Sequence, residues 1–254
     1  MTRQLVILFL LLLVLADIYF IVILGESSPV VDSQSPMNTY RVFLPIIMRP
    51  KYAETPLWVD GFDMGLEYWG SGGLGNWATT VTFFGDPHYG EAALLIPGDG
   101  LHEHVYIQHC ELESLPSHGI GLQLEFYICD DNFYAFMVVL DILKDPNCYP
   151  VWLTYCHAES RVYIFAGDDV INIALPNRLA HGWHTIRLVA DTTDMTYRYV
   201  NLDGMSFDVS GHPLIAEPDN PWTGYCPRVF VFNGEQGTTT SVAIDHVMVF
   251  RIDP

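Results

Sequence analysis

The stretch "WHTIRLVADTTDMTYRYVNLDGMSFDVSG", residues 183–211, decides the fold class. In its first run Ile186 and Leu188 alternate with polar or mixed positions, so one face of a strand is uniformly apolar and is predicted to face a core. Asp203 and Gly204 form a dipeptide that favours a two-residue hairpin, because a type I′ turn needs positive φ at both central residues. The stretch therefore predicts a meander of three antiparallel strands.

The same rhythm continues through the rest of the sequence from about Thr55. Short runs rich in β-branched and aromatic residues, such as "IGLQLEFYIC" (120–129) and "FYAFMVVLDIL" (133–143), alternate with Gly, Pro, Asn and Asp turns at intervals of about eight to twelve residues. We find no amphipathic helix longer than two turns and no internal repeat. The pattern predicts an all-β fold over residues 55–254, an antiparallel two-sheet β-sandwich or jelly roll, preceded by one N-terminal hydrophobic helix.

Composition limits the possible partners. Of the 254 residues, 50% are hydrophobic and 13% aromatic, enough for a sizeable core. Thirty acidic against eleven basic residues give a net charge of -19, which repels phosphate groups and excludes nucleic acid as a partner. The acidity suits a calcium ion, which prefers oxygen ligands, or it simply keeps an exported protein soluble.

The N-terminus predicts export. Arg3 precedes an apolar run over residues 5–25 that, at about 1.5 Å per residue, can cross a hydrocarbon core of about 30 Å. Asp17 interrupts this run, but the surrounding aliphatic residues offset its insertion cost of roughly 3 kcal/mol. Residues 1–25 are therefore predicted to be a signal peptide or signal anchor, and the Ser- and Pro-rich residues 26–54 a linker or stalk. The remaining residues should be extracytoplasmic, secreted or anchored, with membrane contact through the N-terminal segment only.

Cysteine usage agrees with an oxidising compartment. Five cysteines in an exported protein predict one or two disulfides and at least one remaining thiol. No C-x-x-C pair occurs, which argues against a zinc–thiolate cluster, and spacing alone does not give the pairing. The five are Cys110, Cys129, Cys148, Cys156 and Cys226.

Three segments carry a resemblance to known families. The Trp-led strand, Asp-bearing turn, aromatic strand and D-G hairpin of residues 183–211 resemble the concanavalin A-like lectin/glucanase and laminin G-like sandwich domains. "WVDGFDMGLEYWG" (58–70) resembles the opening strand of such domains, and "SVAIDHVMVFRI" (241–252) resembles the closing strand. The last two segments equally resemble those of jelly-roll carbohydrate-binding modules.

The jelly-roll resemblance implies a structural calcium ion. In such modules an acid near the first strand and an Asp on the last strand hold the ion, which points to Asp63 and Asp245 as ligands. His246 stands here in place of the second acid of the closing pair. The alternative is that these acids cap turns or pair across the sandwich edge.

Other motifs give little indication of chemistry. The E-x-D-x-x-E pattern, with which glycoside hydrolases place two carboxylates in one cleft, is absent, as is the G-x-S-x-G nucleophile elbow. Glu111 and Glu113 would share a strand face, but "PS" soon ends that run, and a solvated strand end is the simpler interpretation. His102 and His104 have the H-x-H spacing of a zinc or copper chelate without an identifiable third ligand, so two surface histidines are the alternative. We therefore expect no enzyme activity.

Binding without catalysis fits the loops better. Aromatic platforms flanked by Asp and Asn recognise sugars by stacking and hydroxyl hydrogen bonds. Trp69, Trp77, Trp152 and Trp222 lie in or near Gly- and Pro-rich turns where they could be exposed, although loop packing is the alternative; Trp58 and Trp183 are assigned to the core.

The preferred binding segment is "EPDNPWTGYCP" (217–227), with Asp219, Asn220, Trp222 and Tyr225. The predicted function is an exported, secreted or membrane-anchored, non-catalytic module for glycan or polysaccharide binding or cell-surface adhesion. The alternatives are a glycoside-active enzyme with an atypical acid pair and a structural domain that binds a cell-envelope protein.

Overall fold

The computed structural model describes most of the sequence that follows the predicted linker. The described residues are 53–253 without 74–76, 85–88, 101–102, 130–132, 168 and 235–239. The predicted signal peptide or anchor and nearly all of the linker lie outside this range and stay predictions. Within the range, no helix is long and apolar enough to cross a membrane.

The described residues form fifteen β-strands. They are β1 (Ala53–Asp60), β2 (Gly70–Gly73), β3 (Trp77–Phe84), β4 (Tyr89–Ile96), β5 (His104–Gln108), β6 (Ile120–Ile128), β7 (Phe133–Lys144), β8 (Asn147–Cys156), β9 (Arg161–Ala166), β10 (Asp169–Ala174), β11 (Gly182–Asp191), β12 (Thr196–Leu202), β13 (Met205–Phe207), β14 (Thr223–Asn233) and β15 (Val242–Asp253).

These strands make two antiparallel sheets. The eight-stranded sheet has the order β13-β12-β11-β6-β15-β4-β3, with β1 also paired to β15. The seven-stranded sheet has the order β10-β9-β8-β7-β14-β5-β2. The prediction of an all-β, two-sheet antiparallel sandwich is confirmed.

Residues 183–211 form the predicted meander of β11, β12 and β13. Leu202 pairs with Ile186 on one side and with Met205 on the other. Asp203 and Gly204 have φ values of 50° and 76°, as a type I′ turn requires. The hairpin predicted from this dipeptide is therefore present, and its register directs Ile186 into the core.

The core lies between the sheets and contains the side chains that point inward from the strands. Ile186 and Leu188 of β11 are fully buried, as are Phe136 and Val138 of β7. Phe126 of the eight-stranded sheet stacks on Phe136 of the seven-stranded sheet with ring centroids 4.4 Å apart. Removing this apolar surface from water is the main force that holds the two sheets together.

One buried hydroxyl joins the two sheets by hydrogen bonds. Tyr197 projects from β12, and its Oη accepts a hydrogen bond from the backbone N–H of Trp152 at 2.9 Å. The same hydroxyl donates to the backbone carbonyl of Phe165 at 2.6 Å. Burial raises the pKa of Tyr197, so the hydroxyl keeps the proton that it donates. The contact fixes the backbone of β8 and β9 relative to β12.

A disulfide makes a second long-range connection. Cys110, just after β5, is bonded to Cys226 in β14, across 116 positions of sequence. The expectation of at least one disulfide is confirmed. Cys129 donates from its Sγ to the backbone carbonyl of Tyr127 at 3.8 Å.

The ring of His184 in β11 connects the turn between β12 and β13 with the segment that precedes β11. Nδ1 lies 2.6 Å from Oδ2 of Asp203, and Nε2 lies 2.7 Å from the carbonyl oxygen of Ala180. Burial lowers the pKa of His184, but the hydrogen bonds with Asp203 and Ala180 raise it more, so the net pKa lies above the ordinary 6.5. Burial raises the pKa of Asp203, but the bonds from His184 and from the Thr185 N–H bring it below 3.8.

The ion pair predicts a pH dependence of stability. The contribution of His184 is fully present below its unfolded pKa of 6.5 and is lost as the pH rises through the higher folded pKa. The contribution of Asp203 is present above its unfolded pKa of 3.8 and is lost as the pH falls through the lower folded pKa. The pair therefore stabilises the fold most between these two pKa values.

Urea midpoints of the wild type and His184→Gln should differ most near pH 5 and least near pH 9, whereas the exposed His118→Gln should follow the wild type. An equal difference at both pH values would contradict the assignment.

The inter-sheet hydroxyl predicts a specific cost. Tyr197→Phe keeps the buried ring but leaves the N–H of Trp152 and the carbonyl of Phe165 without this partner, which should lower the free energy of unfolding by about 1–3 kcal/mol. Tyr199→Phe is the matched control, because its half-buried hydroxyl contacts Glu54 of the same sheet at 3.5 Å and does not join the two sheets. Urea denaturation measures both, and equal costs for the two variants would argue against the inter-sheet role.

Candidate functional site

The seven-stranded sheet carries many aromatic side chains on the surface that points away from the core. Strand residues alternate between the two faces, so the residues that alternate with the core positions point outward. We call this surface the aromatic face and define it by His104, Tyr106, Gln108, Ala135, Met137, Val139, Asp141, Trp152, Thr154, Tyr163, Phe165, Arg228, Phe230 and Phe232.

The first group of rings lies on β5 and β14. Tyr106 is the cross-strand partner of Phe230, and His104 is the partner of Phe232. The ring centroids are 5.3 Å apart for Tyr106–Phe230 and 5.4 Å apart for His104–Phe232. All four side chains are half-buried, so each ring keeps part of its surface open to solvent. Burial lowers the pKa of His104 and outweighs the opposing effect of Glu103, so its ring is neutral at neutral pH.

A second group of rings lies on β8 and β9. Trp152 and Phe165 are cross-strand partners whose centroids are 4.9 Å apart in an edge-to-face arrangement. The indole Nε1 of Trp152 is buried and has no hydrogen-bond partner among the described residues. Because β7 lies between β14 and β8, the two groups are separated by two strand spacings, about 10 Å.

An ion pair occupies the middle of the aromatic face. Arg228 binds Asp141 with two contacts, Nε to Oδ2 at 2.6 Å and Nη2 to Oδ1 at 2.8 Å. Burial lowers the pKa of Arg228, but Asp141 raises it more, so the guanidinium stays charged. Its carbon centre lies 5.7 Å from the centroid of Phe230. Gln108, the cross-strand partner of Arg228, adds an amide. The face therefore combines open rings with a few fixed polar groups.

The predicted binding segment 217–227 is only partly available to a ligand. Trp222 is 51% exposed. Asn220 shapes the loop, because its Nδ2 donates to the carbonyls of Asn147 and Trp222 at 3.0 and 2.9 Å. Asp219 is exposed and has a φ of 70°. Tyr225 is only 1% exposed, so its predicted role as an exposed ligand contact is wrong: β14 directs this ring into the core.

The other tryptophans are placed differently from the loop prediction. Trp69 is 7% exposed and donates from Nε1 to Oδ2 of Asp60 at 2.8 Å, so its prediction as an exposed platform is wrong. Trp152 lies within β8 instead of in a turn, and it points to the aromatic face. The backbone of Trp77 belongs to β3, but its side chain is outside the described set. Of the two assigned to the core, Trp58 is half-buried against it, and Trp183 is half-buried.

The predicted metal ligands that the structure describes lie in different surroundings. Asp63 is exposed, whereas Asp245 is buried and accepts a hydrogen bond from the N–H of His246 at 2.7 Å. His102 lies outside the described residues, and His104 belongs to the aromatic face. Among the described residues no group of three or more His, Cys, Asp or Glu side chains is placed to hold a metal ion. Calcium at Asp63 and Asp245, and zinc or copper at the histidines, stay predictions.

The acidic segment after β5 is tied to a histidine that sequence reasoning missed. His109 stacks on Trp58 with ring centroids 4.5 Å apart, and its Nδ1 lies 2.8 Å from the carbonyl oxygen of Tyr68. Its Nε2 lies 2.7 Å from Oε1 of Glu111. His109 thus contacts Trp58 of β1, Tyr68 before β2 and Glu111 after β5, and both of its ring nitrogens take part. The i, i+2 spacing of His109 and Glu111 in the sequence could have indicated this contact.

The aromatic face was also missed, although a signal was present. In "HVYIQ" of β5, Val105 and Ile107 face the core while His104 and Tyr106 alternate with them. Aromatic residues at the alternate positions of a strand indicate a second apolar face. The predicted sugar contacts, in contrast, were assigned to loops and turns.

Comparison with known proteins gives the fold but not a family. No protein-family model matches the sequence, and no curated protein matches it either. Among solved structures, a conserved carbohydrate esterase from the Shiga toxin-encoding bacteriophage phi24B is 14% identical, with a TM-score of 0.52, and the match covers 80% of this chain and 100% of that one.

Two further structures match less closely. A Bacteroides ovatus mixed-linkage glucan GH16 protein in complex with a G4G4G3G product is 11% identical, with a TM-score of 0.49, 77% of this chain and 99% of that one being covered. The carbohydrate recognition domain of Emp46p in its potassium-bound form is 8% identical, with a TM-score of 0.47 and coverages of 75% and 91%.

The match to the esterase corrects one expectation. The prediction that the protein is not an enzyme rested on the absence of two motifs, and this inference is wrong. The fold is shared along the whole length of a protein described as a carbohydrate esterase. The absence of the E-x-D-x-x-E and G-x-S-x-G patterns from this sequence therefore does not exclude enzyme activity.

Proposed function

We propose that the protein recognises carbohydrate and that the aromatic face holds the glycan. The observation that carries the proposal is the Tyr106–Phe230 pair, two half-buried rings side by side on the solvent face of a sheet. The C–H face of a pyranose packs on such rings, and its hydroxyl groups need nearby donors and acceptors. Arg228 and Gln108 supply these groups, while the buried Asp141 holds the Arg228 guanidinium in place.

The proposal includes export. The apolar run over residues 5–25 supports a signal peptide or anchor, and the Cys110–Cys226 disulfide supports an oxidising compartment. The proposed partner is accordingly an extracytoplasmic glycan or polysaccharide, which the concanavalin A-like sandwich of this protein binds. The alternative partner, a cell-envelope protein, stays a prediction.

A glycan array probed with the full-length protein in mild detergent tests this function. Phe230→Ala should weaken binding of a detected glycan about 2- to 12-fold, the range that corresponds to one aromatic contact of about 0.5–1.5 kcal/mol. Tyr127→Ala is the matched control, since it removes a half-buried ring from the outer face of the other sheet. Binding to no glycan, or equal losses in both variants, would overturn the proposal. Product analysis of the same samples reports any turnover.

The exposed Trp222 is a second proposed contact, separate from the aromatic face. It precedes β14, and Phe230 lies eight positions further along, about 26 Å at roughly 3.3 Å per residue. Trp222→Ala should therefore leave the affinity for short glycans unchanged and reduce it only for long ones. Titration of a length series by calorimetry measures this, and a loss with the shortest binding glycan would move the principal site to the loop.

A further inference from the structure

The edge strand next to the ring group has an unusual composition. β2 reads "GSGG", pairs with β5, and forms the end of the seven-stranded sheet. In its register Gly70 lies opposite Gln108, and Gly72 lies opposite Tyr106. The two glycines therefore border the two β5 side chains that belong to the proposed sugar site.

The ring of Tyr106 occupies the space above Gly72. A Cβ atom added at Gly72 would lie 2.7 Å from Oη, 2.8 Å from Cζ and 2.9 Å from Cε1 of Tyr106. A Cβ at Gly70 would make only ordinary contacts with Gln108, 3.6 Å from Cγ and 3.8 Å from Nε2. The side chains of Tyr106 and Gln108 thus both lean towards β2, but only Tyr106 needs a glycine opposite it in order to do so.

This lean decides which part of the ring meets solvent. Strand side chains usually stand about perpendicular to the sheet, which would present the edge of the Tyr106 ring. A ring that extends over the α-carbon of the next strand lies along the sheet, so one of its faces points outward. Stacking on a pyranose uses the face of the ring. The Gln108 amide, on the same strand face, can bond the hydroxyls of that sugar.

We infer that Gly72 is a positioning residue, which holds Tyr106 flat and so creates a sugar-stacking subsite that includes Gln108. The inference rests on the proposed function and specifies its first contact. A simpler role is known for such pairs, because an aromatic ring laid over an edge glycine stabilises the strand. That role predicts an effect on stability, whereas the subsite predicts an effect on affinity that passes through Tyr106.

The test is a double-mutant cycle on the full-length protein, with the glycan of highest affinity from the array as the probe. The backbone of Gly72 is outside the left-handed region, so alanine fits it, and the new Cβ displaces the ring. Gly72→Ala and Tyr106→Ala should each weaken binding by about 2- to 12-fold. The double variant should bind like Tyr106→Ala alone, because the two changes remove one contact.

Gly70→Ala is the matched control, since it makes the same chemical change in the same strand without a close contact, and it should bind like the wild type. Additive losses in the cycle, or unchanged binding in Gly72→Ala while Tyr106→Ala is weakened, overturn the inference and leave the proposed function intact. Wild-type protein that binds no glycan overturns both.

A second measurement needs no ligand. The ring current of Tyr106 should shift the α-protons of Gly72 upfield in the NMR spectrum, and Tyr106→Ala should remove this shift. Urea midpoints of the same variants report any separate loss of stability. Unshifted Gly72 protons in the wild type would show that the ring does not lie over the glycine and would overturn the inference on geometry alone.

Discussion

The hydroxyl of Tyr197 makes a directional contact between the two sheets, and the second ring group of the aromatic face depends on it. Hydrophobic burial holds the sheets together but has no direction, so it does not set how one sheet is placed over the other. The Tyr197 bonds to Trp152 and Phe165 add a directional constraint, because a buried hydroxyl that loses its partners is costly. They fix the backbone of the two residues whose side chains form the second ring group of the aromatic face.

The aromatic face follows from the way the sandwich uses its strands. A strand whose inward residues fill the core has its alternate residues free for another purpose. In β5 and β14 those alternate positions hold Tyr106 and Phe230, and in the neighbouring β7 Asp141 neutralises Arg228. The rigid backbone ladder gives these groups fixed positions, so a ligand on this face would meet a surface formed in advance.

Particular residues show how far local patterns reach. The Asp203–Gly204 hairpin and the inward face of β11 were predictable, because turn chemistry and alternation involve neighbouring residues. Tyr225 and Trp69 were misplaced, because a Gly- or Pro-rich surrounding does not reveal whether a ring turns into the core or outward. The expectation of no catalysis rested on two absent motifs, and it was wrong as an inference because the same fold occurs in a protein described as a carbohydrate esterase.

The sequence by itself determined an acidic all-β protein with a hydrophobic N-terminal segment, its principal strands and its hairpin, because each depends on residues close together in sequence. Only the tertiary structure decided which strands are neighbours, and hence that Cys110 meets Cys226, that Tyr197 reaches the other sheet, and that Gly72 lies beneath Tyr106. The physical reason is that sheet pairing is non-local. Many arrangements of fifteen strands bury the same apolar residues, and the packing of the whole domain selects one of them.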